Sequence, residues 1–128
     1  MIINTPVSIG ELVDKISILK IKKDNIKEEK KLKLIKDELQ LLEKELSKIA
    51  INDPSIEKYL QKLVLTNSKL WKIEDNLREC ERKKIFNQDF IELARSVYFT
   101  NDERSRIKLE INNNFGSKIV EVKSYKEY

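Results

Sequence analysis

Histidine is absent from this chain, and cysteine, tryptophan and methionine occur once each. Without an imidazole there is no Ser-His-Asp or Cys-His nucleophile, no H-E-x-x-H zinc helix and no Glu-x-x-His di-iron pair. The lone cysteine, Cys80, can close no disulfide within the chain, and on an apolar helix face it reads as a small buried hydrophobe. Two glycines and two prolines leave too little punctuation for a many-stranded sheet. There is no glycine-rich phosphate loop and no G-x-S-x-G elbow. No apolar run approaches the roughly 18 residues of a membrane span, and the opening MIINTPVSIG lacks the basic region and apolar core of a signal peptide. A cytoplasmic protein with no membrane span is the expectation.

Arginine is also scarce. It supplies five of the 26 basic residues, and none occurs before Arg78. The abundance of Lys, Ile and Asn suggests an AT-rich coding background that favours lysine. An arginine kept against that drift is more valuable for its planar, forked donor geometry. Three of the five, Arg95, Arg104 and Arg106, fall in one stretch, Phe90–Asn112.

What remains is a 128-residue chain, 40% hydrophobic and 38% charged, which fits one helical domain spanning residues 1–128. The net charge of +4 hides 22 acidic residues. Through residues 20–48 the signs alternate at helical spacing, as on a solvated face laced with i,i+4 pairs. Acids interrupt every basic run, so nucleic acid is an unfavoured partner.

The fold class read from periodicity is all-α: an antiparallel helical hairpin plus shorter helices, with short extended ends. Ser8 and Glu11 form an S-x-x-E capping box that opens a first helix with apolar positions Ile9, Leu12, Ile16, Leu19 and Ile26. A second stripe, Leu32, Ile35, Leu39, Leu42, Leu46 and Ile49, steps as a heptad seam. The two stripes differ in direction by roughly 150° at 100° per residue, which predicts a break within Lys27–Lys31. Asn52–Ser55 reads as a turn, followed by a helix of about 30 residues with the seam Tyr59, Leu63, Leu70, Ile73, Leu77 and Cys80. A short turn between these seams predicts their pairing as the hairpin. Phe86 and Ile91 bracket Asn87 as a staple around the next helix start. Thr100 with Glu103 makes another capping box, which predicts two short helices meeting at a polar corner, Thr100-Asn101-Asp102. Gly116 terminates the last helix. Ile2–Val7 and Lys118–Lys123 are the only strand-like segments, and would pair as a two-stranded ribbon resting on the helices.

Three polar constellations can carry chemistry. Glu11, Asp14 and Lys15 share one side of the first helix start, either as a capped and paired helix end or as a site wall. Around the only tryptophan, Trp71, the carboxylates Glu74, Asp75 and Glu79 stack at helical spacing with Arg78. They read as surface ion pairs or as oxygen ligands for Mg²⁺, which needs only oxygen ligands and waters. The third is the corner, where Arg95, Tyr98, Asn101, Asp102, Arg104 and Arg106 offer guanidinium forks beside a helix start, an arrangement suited to an anion or to internal ion pairs. With Lys15 and Arg78 these are the candidate ligand-binding residues.

The segments PVSIGELVDKISILKIK, LWKIEDNLRE, FIELARSVYFTNDERSRIK and GSKIVEVKSY resemble, in this order, an uncharacterised family of small helical proteins, the domain of unknown function 6165. The resemblance spans nearly the whole chain and carries no established activity or catalytic residue. It implies a bacterial or phage setting, often near surface-polysaccharide genes, and through that neighbourhood alone a link to sugar-nucleotide metabolism. Two functions follow as expectations, with catalysis left open. One is a non-catalytic helical accessory protein that forms a homodimer and docks on a protein partner. The other is an enzyme or binder, with or without Mg²⁺, for a phosphorylated small molecule such as a nucleotide or sugar nucleotide.

Overall fold

The computed structural model describes residues 1–49 and 53–128. Four helices form its folded part: α1 (Ile9–Asn25), α2 (Glu29–Ile49), α3 (Pro54–Lys83) and α4 (Gln88–Asn114). The protein is all-α, with no strand among the described residues.

Local chemistry sets most helix ends. The Ser8 hydroxyl accepts from the Glu11 backbone N–H at 3.1 Å, satisfying one of the orphan donors of the first turn of α1. The break before α2 falls at Ile26–Glu28, at the leading edge of the charged stretch, so the two apolar stripes belong to separate helices. Asp53 caps α3 through the Ser55 N–H, with Pro54 in the first turn. Asn52, the other half of that expected turn, lies outside the described residues. Lys84 ends α3 in the left-handed region at φ 57°, and Asn87 opens α4 by accepting from the Phe90 N–H. Across this cap the Phe90 ring packs edge-on to Phe86 at 5.2 Å. Gly116, at φ 62°, follows the end of α4.

Helix α1 is the hub, packing against α2, α3 and α4 alike. It buries Leu12, Val13, Ile16 and Leu19 in the core, and also Gly10, Asp14, Ser17 and Ile21, so most of its circumference is covered. The core continues through Ile35, Leu39 and Leu46 of α2, Ile56, Leu60 and Leu63 of α3, and Ile107 and Ile111 of α4.

Three sequence expectations are overturned. The polar corner does not exist: α4 runs unbroken from Gln88 to Asn114, and Thr100 is buried inside it. Leu93, Val97, Thr100, Arg104, Ile107 and Ile111 follow one another at three- and four-residue steps, so a single inward face passes through the expected boundary. The tight hairpin is made by α3 and α4 across Lys84–Asn87, not by α2 and α3. Among the described residues α2 packs closely only on α1, because α1 presents apolar surface to both seams and takes each of them. The ribbon is absent as well. Residues 1–7 are exposed, and the segment after α4 carries no strand; a lone strand pair buries too little to hold itself.

Candidate functional site

Helices α1 and α4 meet through a polar seam. Thr100, Arg104, Lys108 and Asn112 repeat every four residues along α4, which places them in one row facing α1. Thr100, Lys108 and Asn112 are buried, and Arg104 is mostly so. Asn112 accepts from the Gly10 N–H at 2.7 Å, satisfying a second orphan donor of α1. Gly10 permits this approach, since a Cβ there would lie 2.5 Å from the Lys108 carbonyl oxygen.

One turn along, Asp14 is 1% exposed and receives a two-pronged grip from Arg104, Nε to Oδ1 at 2.9 Å and Nη2 to Oδ2 at 2.5 Å. Asn67 of α3 donates to Asp14 Oδ1 at 2.9 Å and to the Ser17 hydroxyl at 2.8 Å, so three helices converge on one carboxylate. Hydrogen bonding to Asp14 raises the Arg104 pKa above its usual value. Lys108 bridges Glu11 at 2.7 Å and Glu121 at 2.8 Å. Burial is the largest influence on the Lys108 ammonium and disfavours its charge, but the two carboxylates outweigh it and the pKa rises. Glu121 is held at about 2 by Lys108 and then Lys123.

Two clefts open on either side of Asn101 and Arg104, which line both. The larger, about 1030 Å³, lies between α4 and the segment after it. Lys108, Lys123 and Lys126 supply its positive charge together with Arg104, against Asp102 and Glu127. The segment crosses it as a strap fixed at two points. Glu121 holds one end to Lys108; at the other, the Tyr128 hydroxyl donates to Asp102 while its ring packs edge-on against Tyr98 and Phe99. The hydrogen bond to Asp102 raises the Tyr128 pKa. The smaller cleft, about 450 Å³, is walled by Ile18 and Ile21 of α1 and by Trp71, Glu74, Asp75 and Arg78 of α3.

The expected site residues thus divide. Tyr98, Asn101, Asp102 and Arg104 come together at the larger cleft, and Arg78, Glu74 and Asp75 at the smaller one. Arg95 is exposed, pairs with Glu92 at 3.1 Å and lies over the Phe99 ring; its pKa is raised by hydrogen bonding to Tyr98 and then Glu92. Arg106 is exposed and lines neither cleft. Lys15 leaves its neighbours Glu11 and Asp14 and turns to Glu38 of α2 at 3.1 Å. The Mg²⁺ set does not assemble, because Glu79 is drawn to Arg82 and Lys83, which hold its pKa at about 2. Among the described residues no three carboxylate or cysteine side chains gather as a metal ion would require.

Sequence reasoning missed Asn67, Ser17, Lys108, Asn112 and Glu121. The four-residue rhythm of Thr100, Arg104, Lys108 and Asn112 was the available signal, hidden because polar residues at core positions look like a surface.

The family of unknown function DUF6165 matches the chain over residues 3–128. No curated protein and no solved structure matches it. The match covers the hub helix, the polar seam and both clefts, and the chain therefore belongs to the family DUF6165.

Proposed function

We propose that this protein binds a phosphorylated small molecule of the nucleotide or sugar-nucleotide class in the larger cleft, using Arg104 as the anion ligand. The observation that carries this reading is the position of Arg104. Asp14 takes Nε and one Nη2 hydrogen from beneath, which leaves Nη1 without an acceptor among the described residues at the meeting of the two clefts. A buried ion pair contributes little net stability compared with apolar residues of the same volume, so its presence here favours a role beyond folding. A guanidinium clamped on one edge is pre-organised to offer the other to phosphate oxygens. Lys126, which forms no ion pair among the described residues, adds a cation on the strap.

Calorimetric titration with inorganic phosphate, pyrophosphate and a panel of nucleotides and sugar nucleotides tests the reading. A binding ligand at about 100 times its Kd adds about 2.7 kcal/mol of stability, which a melting curve reads directly. Arg104→Lys keeps the charge and loses the fork, and is expected to weaken binding about tenfold; Lys126→Ala weakens it less. No heat and no shift across the panel would sink the proposal.

A second reading has its own support. The end of the α3–α4 hairpin exposes Ile85, Phe86 and Ile91 and contributes nothing to the main core. A cytoplasmic accessory protein that pairs with a second copy would cover such an end. Light scattering at high concentration tests it: a dimer that Phe86→Asp dissociates supports the reading, and a monomer at every concentration counts against it.

A further inference from the structure

We infer that the smaller cleft is the ring subsite of the same ligand, receiving a nucleobase whose edge carries N–H donors. This rests on the phosphate reading of Arg104 and adds what the other end of the ligand must be.

Three features of the cleft converge. Trp71, the only tryptophan, is partly exposed and lines the cleft together with Ile18, Ile21 and Leu70, giving it apolar wall and one aromatic side chain. A flat ring stacks on an aromatic face with little regard to its identity. The second feature is Asn67. It is 94% buried and lines the cleft, since its relative exposure is 6%. Both hydrogens of its amide nitrogen are spoken for, by Asp14 and Ser17, which fixes the amide orientation. Its Oδ1 has no donor among the described residues and is not itself closed off from solvent, so an open acceptor lines the slot. The third is the rim, where Glu74 and Asp75 form no ion pair among the described residues and line the cleft.

Ionised carboxylates and an amide oxygen are acceptors only. A ring bearing mainly acceptors would meet them with like dipoles. A ring presenting amino or imino hydrogens would satisfy them, and a carboxylate can take two parallel N–H groups at once. Guanine, with adjacent imino and amino hydrogens, fits this requirement best among the common bases. Because Asn101 and Arg104 line both clefts, a nucleotide stacked on Trp71 can direct its phosphate across them onto Arg104 and the lysines beyond. Arg78, exposed and also lining the slot, adds a cation for a second anionic group.

The single tryptophan makes the test direct. The folded protein is titrated with guanosine monophosphate, guanosine and inorganic phosphate, following Trp71 emission and heat together. The nucleotide and the nucleoside should both quench Trp71, while phosphate should release heat without quenching. Trp71→Leu should weaken the nucleotide about tenfold, the typical loss of one stacked base, and leave phosphate affinity unchanged. Asp75→Asn should weaken the guanine nucleotide more than the uridine nucleotide. If phosphate and nucleotide bind equally well, with no quenching and no effect of Trp71→Leu, the ring subsite is overturned while the anion site stands. If neither phosphate nor nucleotide binds, both fall together.

Discussion

At the scale of single residues, the junction of α1 and α4 is set by a glycine and a carboxylate. Gly10→Ala would gain helix propensity of up to about 1 kcal/mol, but its Cβ would sit 2.5 Å from a backbone oxygen that cannot swing aside. Overpacking of this kind costs about 1–3 kcal/mol, and the Gly10–Asn112 hydrogen bond is strained as well. The expected outcome is a net loss in urea unfolding; a raised midpoint would show that the helices can part cheaply. Asp14, almost wholly buried, makes the converse case. Arg104→Ala leaves its charge without its strongest partner, and should destabilise the fold by about 3–5 kcal/mol. The double change Asp14→Leu with Arg104→Met should recover most of that loss in the same assay. If the double variant instead stays as unstable as Arg104→Ala alone, the pair is a stabilising element and loses its value as a functional marker.

At the scale of helices, equal marks in a sequence pattern turn out to have unequal weight. Leu39 and Ile49 sit on the same heptad seam, yet Leu39 is buried against α1 and Ile49 is 61% exposed. Leu39→Ala should cost about 2–5 kcal/mol and Ile49→Ala within about 0.5, as chemical denaturation will report. Comparable losses at both would mean that α2 is covered along its whole length in solution, as a second copy would cover it. Helix α4 shows the opposite problem. Its N-cap at Asn87 and the left-handed Gly116 just past its end were legible, because capping is a local interaction between neighbouring residues. Its continuity through Thr100 was not, because the same Thr-x-x-Glu letters serve a helix start or a buried turn, and burial is decided by α1 and α3.

At the scale of the molecule, the strap after α4 ties pH to the state of the larger cleft. Glu121 has a folded pKa near 2, below the ordinary carboxylate value, so the strap gains stability above that ordinary value and loses it as pH falls through the folded one. Release is expected between about pH 5 and pH 2. The Tyr128 ring packs on Tyr98 and Phe99, so their ring proton shifts should move towards free values across that window while α1 stays folded. Glu121→Gln should move the same signals at neutral pH. Ring signals already at free values at neutral pH in the unaltered protein would show that the strap does not hold the cleft. Release of the strap also removes Lys123 and Lys126 from the cleft, so phosphate affinity should fall with it.

The letters alone determined that the chain is all-α, that a break separates α1 from α2, that α3 runs about thirty residues from Pro54, and that Ser8, Asn87 and Gly116 mark helix ends. These follow from interactions a few residues long, between a side chain and the backbone beside it. Tertiary structure decided the partner of each seam, the burial of Asp14 beneath Arg104, and the meeting of Asn67 with Ser17 across 50 residues of sequence. A polar side chain earns a core position only when a partner from another helix satisfies it, and no local spacing in the chain names that partner.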